Sequence, residues 1–269
     1  MGRYGTVRRH LGEEAVSPRK LGLPLLNGSY LREFFNYQPI TSGVLGHEPP
    51  SGVDTESFRV HVKSGAPLLG TYIGTGTQLA PLFTAGKLQV SLDEVASDGV
   101  EYNPGITQLG ATCYGPMVLV RGAAAPHFVR GKFTIATVAN ISYLALGYRE
   151  EAAVAPVLDN YQELAAINLA LGDVKTETIS NNGATVTTDT LVNVGNATEF
   201  ELKVVLDQFK ARFFIDGVEK GSKFTFHSSA LRLIPFVHIF QKAAGAGSVV
   251  ECSELEAGYL ADVDDHYIL

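Results

Sequence analysis

The clearest pattern along the chain is alternation. In "EFELKVVLD", Phe200, Leu202, Val204 and Leu206 share one face, while Glu199, Glu201, Lys203 and Asp207 lie largely on the other. That period of two is what a half-buried strand requires. "QFKARFFIDG" repeats it, with Phe209, Ala211, Phe213 and Ile215 set against Lys210 and Arg212. Asp216-Gly217 then predicts a tight hairpin, since both residues tolerate the positive φ such turns demand. "SKFTFHS" resumes with Phe224 and Phe226, and "LIPFVHIFQ" is apolar on both faces. The last pattern predicts a central strand covered on both sides.

Alternation also marks "SFRVHVK", where Phe58, Val60 and Val62 oppose Arg59, His61 and Lys63. "GKLQVSLDEV", "SDGVEY", "CYGPMVLVRG", "HFVRGKFTIATVA" and "ISYLALGYR" follow at intervals that suit a sandwich rather than βαβ units. "EEAAVAPVLDNYQELAAINLALGDV" fits a helix face through Leu164, Ile167 and Leu171 or a strand face through Ile167, Leu169 and Leu171. Pro156 blocks a long helix, so the segment predicts a loop with at most a short helix, then a strand over 165–171. Residues 1–53 show neither period and carry Pro18, Pro24, Pro39, Pro49 and Pro50. Their Tyr30, Leu31, Phe34, Phe35, Tyr37 and Ile40 are too apolar for a free linker. The chain is therefore expected to hold an extended arm over 1–53, with those six residues binding a partner, and an all-β sandwich over 54–269.

"FELKVVLDQFKARFFIDGVEKGSKFTF" followed by "LIPFVHIFQKAAGAGSVVECSELEAGYL" resembles the closing half of a concanavalin A-like jelly roll. With "HFVRGKFTIATVANISYLALGYR" and "LDNYQELAAINLALGDVKTETISNNGATVTT", it resembles tailed-phage virion proteins that carry this domain, such as head-decoration or minor capsid subunits. The resemblance spans roughly residues 54–260 and implies a jelly-roll β-sandwich with a structural role.

Composition narrows the picture. Hydrophobic residues make up 45% and charged residues 18%, enough for a sizeable core. The net charge of -7 argues against nucleic acid as a partner, because phosphate contacts need Lys and Arg. Cys113 and Cys252 are in no metal or redox spacing, which suits a reducing cytoplasm. No apolar run has the length of a membrane helix or a signal peptide, so no membrane is expected.

Chemistry is hard to find by motif. Jelly-roll glucanases set carboxylates on one strand face through Glu-x-Asp, and this chain has no such tripeptide. Glu254 and Glu256 in "SELEAG" come nearest, and a solvated strand edge is the plainer expectation. No Gly-x-Ser exists. His10, His47, His61, His127, His227, His238 and His266 are scattered without zinc spacing, and His238 reads as a hydrogen-bonded core histidine. Gly74 and Gly76 make a turn rather than a nucleotide fingerprint. Asp262, Asp264, Asp265 and His266 offer oxygen ligands but lack the glycine and fixed carbonyls of a calcium loop. Trp is absent, leaving Tyr102, Tyr114, Tyr148 and Tyr161 as stacking candidates for a sugar.

The sequence thus predicts no catalytic residue, cofactor or metal. It predicts a non-enzymatic virion structural protein, a homo-oligomeric capsid decoration subunit assembled in the host cytoplasm. Its arm would bind the major capsid protein or other virion subunits. The alternative is a lectin-like module of a phage fibre or spike, with a glycan as partner.

Overall fold

A computed structural model describes residues 31–33, 57–60, 68–73, 82–84, 87–92, 98–103, 120–121, 126–152, 154–155, 157–228, 232–241 and 247–259. In chain order the strands are β1 (Leu31–Glu33), β2 (Ser57–Val60), β3 (Leu68–Ile73), β4 (Leu82–Thr84), β5 (Lys87–Ser91) and β6 (Asp98–Asn103). Next come β7 (Val120–Arg121), β8 (His127–Ile135), β9 (Tyr143–Glu150), β10 (Leu164–Ala170), β11 (Asp173–Ile179) and β12 (Val186–Asn193). The series closes with β13 (Glu199–Asp207), β14 (Lys210–Ile215), β15 (Val218–Thr225), β16 (Arg232–Gln241) and β17 (Val249–Tyr259).

These strands form two antiparallel sheets. The eight-stranded sheet runs β15-β14-β13-β8-β17-β5-β4, with β1 also on β17; the nine-stranded sheet runs β12-β11-β10-β9-β16-β6-β3-β2, with β7 also on β16. Between them lies the main core. Phe200, Leu202, Val204 and Leu206 of β13 meet Leu144, Leu146 and Tyr148 of β9 and Ile167 and Leu169 of β10 there. The alternation read from "EFELKVVLD" therefore sorts core from outer face as expected. Ile215 pairs with Val218 around Asp216-Gly217, and Asp216 has φ 49 and Gly217 φ 77, both in the left-handed region the hairpin needs.

Among the described residues of 151–171, a 3-10 turn at Leu158–Asn160 precedes β10, a short turn and then a strand as expected. "LIPFVHIFQ" is central, with β9 on one side and β6 on the other. Of the candidate arm residues, Leu31 stands in β1, in register with Ala257 of β17. Tyr30, Phe34, Phe35, Tyr37 and Ile40 lie outside the described residues, as do Asp262, Asp264, Asp265 and His266.

Two expectations need correction. Glu254 and Glu256 are not on a solvated edge: β17 is flanked by β8 and β5, and both carboxylates are buried around Arg130. Arg130 donates to Glu201 at 3.0 Å, to Glu254 at 2.6 Å and to Glu256 at 2.7 Å. His238 is buried, but neither ring nitrogen makes a hydrogen bond among the described residues; Nδ1 only faces the Glu101 carboxylate. Cys252 is a buried free thiol, and burial pushes its ionisation up.

Candidate functional site

The alternate residues of the nine-stranded sheet point away from the main core. They include Glu101 and Asn103 of β6, Ala145, Gly147 and Arg149 of β9, Leu164, Ala166 and Asn168 of β10, and Phe236 and His238 of β16. In an ordinary two-layer sandwich such a face meets water. Here it is roofed by the segment between β9 and β10. Ala155, Leu158 and Tyr161 of that segment form a second apolar cluster with Ala145, Leu164, Ala166, Ile179 and Phe236.

Three chemically capable side chains, Glu101, Arg149 and His238, are trapped beneath this roof, and Tyr161 reaches them from the roof itself. Arg149 donates through Nε and Nη2 to Glu101 Oε1, at 3.1 and 2.7 Å. Its Nη1 donates to the Glu150 and Ala152 carbonyls at 2.9 and 2.8 Å. The Tyr161 hydroxyl donates to Glu101 Oε2 at 2.8 Å and accepts the Ala155 N–H at 3.0 Å. Asn103 adds a third donor to Glu101 Oε1, at 2.9 Å. His238 faces the same carboxylate with Nδ1 3.6 Å from Oε2, too far for a hydrogen bond.

The electrostatics follow from that geometry. Burial, the largest single influence, pulls the Glu101 pKa upward, but Arg149 and His238 together lower it to about 2. Burial and the Glu101 charge push the Tyr161 hydroxyl well above the ordinary tyrosine range, so it stays protonated. One row along, Asn168 Nδ2 donates to Glu177 at 2.9 Å while Asn168 Oδ1 has no partner. Burial raises the Glu177 carboxyl. The site therefore holds a fixed cation, a protonated phenol and an imidazole with both nitrogens open, which can stabilise an anion and move protons. Among the described residues no group of side chains fits a metal ion.

Sequence reading singled out Tyr161 and His238 and missed their relation. It passed over Glu101 and Arg149 altogether. They are far apart in the chain, and only the pairing of β6, β16 and β9 brings them together. Of the other stacking candidates, Tyr102 and Tyr148 face the main core, and Tyr114 lies outside the described residues. The opposite sheet carries a shallow open depression lined by Lys132, Glu199, Glu201, Asp216 and Gly217.

No protein-family model matches the chain, and no curated protein matches it. Solved structures do share the fold. A protein of unknown function from Shewanella oneidensis MR-1 aligns at 12% identity and a TM-score of 0.52, covering 91% of this chain and 95% of that one. The fold is a concanavalin A-like jelly roll. Alginate lyases share it more loosely: one from Pseudomonas aeruginosa aligns at 10% identity and TM-score 0.48, over 66% of this chain and 85% of that one. Another, from Corynebacterium sp., aligns at 10% identity and TM-score 0.46, over 68% and 82%.

The expectation of a non-enzymatic virion subunit is corrected by these comparisons: the structures named here include alginate lyases and a protein of unknown function, and no virion protein. The faulty step was to equate a missing Glu-x-Asp with missing chemistry. Pairing of distant strands brings Glu101, Arg149, Tyr161 and His238 together without any such tripeptide.

Proposed function

We propose that this chain is a carbohydrate-active jelly roll that cleaves an acidic polysaccharide by β-elimination on the outer face of its nine-stranded sheet. The observation that carries this reading is His238, fully buried with two open nitrogens beside the Glu101–Arg149–Tyr161 cluster. In a uronate the carboxylate acidifies the neighbouring C5 proton. Arg149 would pair with that carboxylate and stabilise charge as it spreads into it. His238 would take the C5 proton, the C–H electrons would form the C4–C5 double bond, and the C4–O4 bond would break. The protonated His238 would then hand that proton on to O4. Imidazole suits the first role because it exchanges protons in the neutral range.

The test is a polymer panel. The protein is incubated with alginate, polygalacturonate, hyaluronan and a neutral glucan, and the ultraviolet absorbance of an unsaturated uronate is followed. Absorbance should rise with at least one uronate polymer and never with the glucan. H238N should slow the rise at least about 100-fold, the usual contribution of a general base. No rise on any uronate polymer would sink the reading.

A further inference from the structure

The roof over the site leaves and returns at one point. The Glu150 N–H donates to the Glu163 carbonyl at 3.1 Å, and the Gln162 N–H donates to the Glu150 carboxylate at 2.9 Å. A loop of this length with its ends tied together is an Ω-loop, a compact unit packed by its own side chains. Under it, β9 and β10 present the small residues Ala145, Gly147 and Ala166, and the loop's Leu158 and Tyr161 fill the space above this trough.

Two fully buried polar residues border the trough. His238 and Asn168 both stand in register with Ala145, one on each side. Neither His238 nitrogen is hydrogen-bonded, with Nδ1 3.6 Å from Glu101 Oε2, and Asn168 Oδ1 accepts no hydrogen bond. Desolvating such an atom without a partner is costly. A sugar hydroxyl lying in the trough would satisfy them; the apolar roof does not.

We propose that the segment carrying Ala155, Leu158 and Tyr161 is a displaceable cover seated in a glycan groove, which runs from Glu101 through His238 and Ala145 to Asn168, and that Glu101 is its latch. The groove's ligand rests on the function proposed above; the latch rests on geometry alone. Glu101 Oε2 holds Tyr161, which holds Ala155. Glu101 Oε1 holds Arg149, which holds the Glu150 and Ala152 carbonyls. One carboxylate thus grips both limbs of the loop. A ligand carboxylate that takes Arg149 removes the counter-charge of Glu101 and loosens the latch, whereas a neutral sugar has nothing to exchange.

Native-state hydrogen exchange on the full chain tests the cover without reference to activity. The Ala155, Tyr161 and Gln162 amides should exchange at least about 100-fold faster than those of β8 and β13, with little dependence on added urea, the signature of sub-global opening. L158S removes roof packing and touches neither the latch nor the reactive groups. It should speed loop exchange about tenfold more and leave the β13 amides unchanged. Oligogalacturonate should bind L158S more tightly than the parent chain, because a smaller share of molecules is closed. Loop amides that exchange at the rate and urea dependence of β13 would overturn the cover; if L158S does not fold, the parent chain's exchange decides. An opening loop together with an inert polymer panel would keep the cover and discard the lyase reading.

Discussion

Arg149 and Glu101 meet at 2.7 Å with neither side chain reaching solvent. Taking both charges out of water is costly, and their attraction offsets that cost only while both are present. R149M should therefore destabilise the fold by about 3–5 kcal/mol, because it strands a buried carboxylate. R149M combined with E101Q should regain part of that loss, since the glutamine keeps an acceptor for Tyr161 without a charge. Urea denaturation of the parent, both single variants and the double variant gives the coupling. Additive losses, within about 0.5 kcal/mol, would mean the two residues are independent.

Acid should reach this pair late. The Glu101 carboxyl is lowered to about 2 in the fold from an ordinary value of 4.5. A depressed carboxyl contributes stability that is fully present above its unfolded pKa and is lost as pH falls toward the folded one. The contribution should thus decline from about pH 4.5 down to about 2. Glu177 acts in the opposite sense, because burial raises its pKa and its ionised form is disfavoured in the fold. Unfolding titrations of the parent and E101Q should diverge above pH 4.5 and converge toward about 2. Parallel curves across that window would remove Glu101 from the acid limb.

Close strand packing makes a third contrast. A Cβ on Gly147 would sit 2.1 Å from the Ala165 carbonyl oxygen and 2.6 Å from the Ala166 Cα, both backbone atoms of β10. A Cβ on Gly131 would instead meet the Phe133 ring at 2.5 Å, a side chain with some freedom to turn. G147A should cost about 3 kcal/mol or more, the upper end of overpacking, and G131A less. Thermal unfolding of the two variants ranks them. A larger loss in G131A would show that β9 and β10 have slack between them.

The fold was legible wherever burial acts on one face at a time. Phe200, Leu202, Val204 and Leu206 announce a strand because water on one side and core on the other impose a period of two. Asp216-Gly217 announces its turn through backbone sterics alone. The site was illegible for a related reason. Arg149 in "GYRE" and Glu101 in "GVEY" look like solvated residues of alternating strands, since nothing local says that their outward face is roofed. Glu254 and Glu256 misled in the same way, because Arg130, the cation that lets them be buried, lies on β8. Pairing between distant strands decides such cases, and periodicity carries no record of it.

The position of β17 sets the order in which this chain can complete itself. It lies inside the eight-stranded sheet, with β8 on one side and β5 on the other, yet it is synthesised after every other described strand. Until it emerges from the ribosome, β8 and β5 have no bridge between them, and Arg130 has neither Glu254 nor Glu256 to answer its charge. A nascent chain would present an open β8 edge, the kind of surface that invites wrong pairing and chaperone capture. Closure of this sheet therefore waits for β17, and a stalled or clipped chain lacking 249–259 would expose that edge permanently.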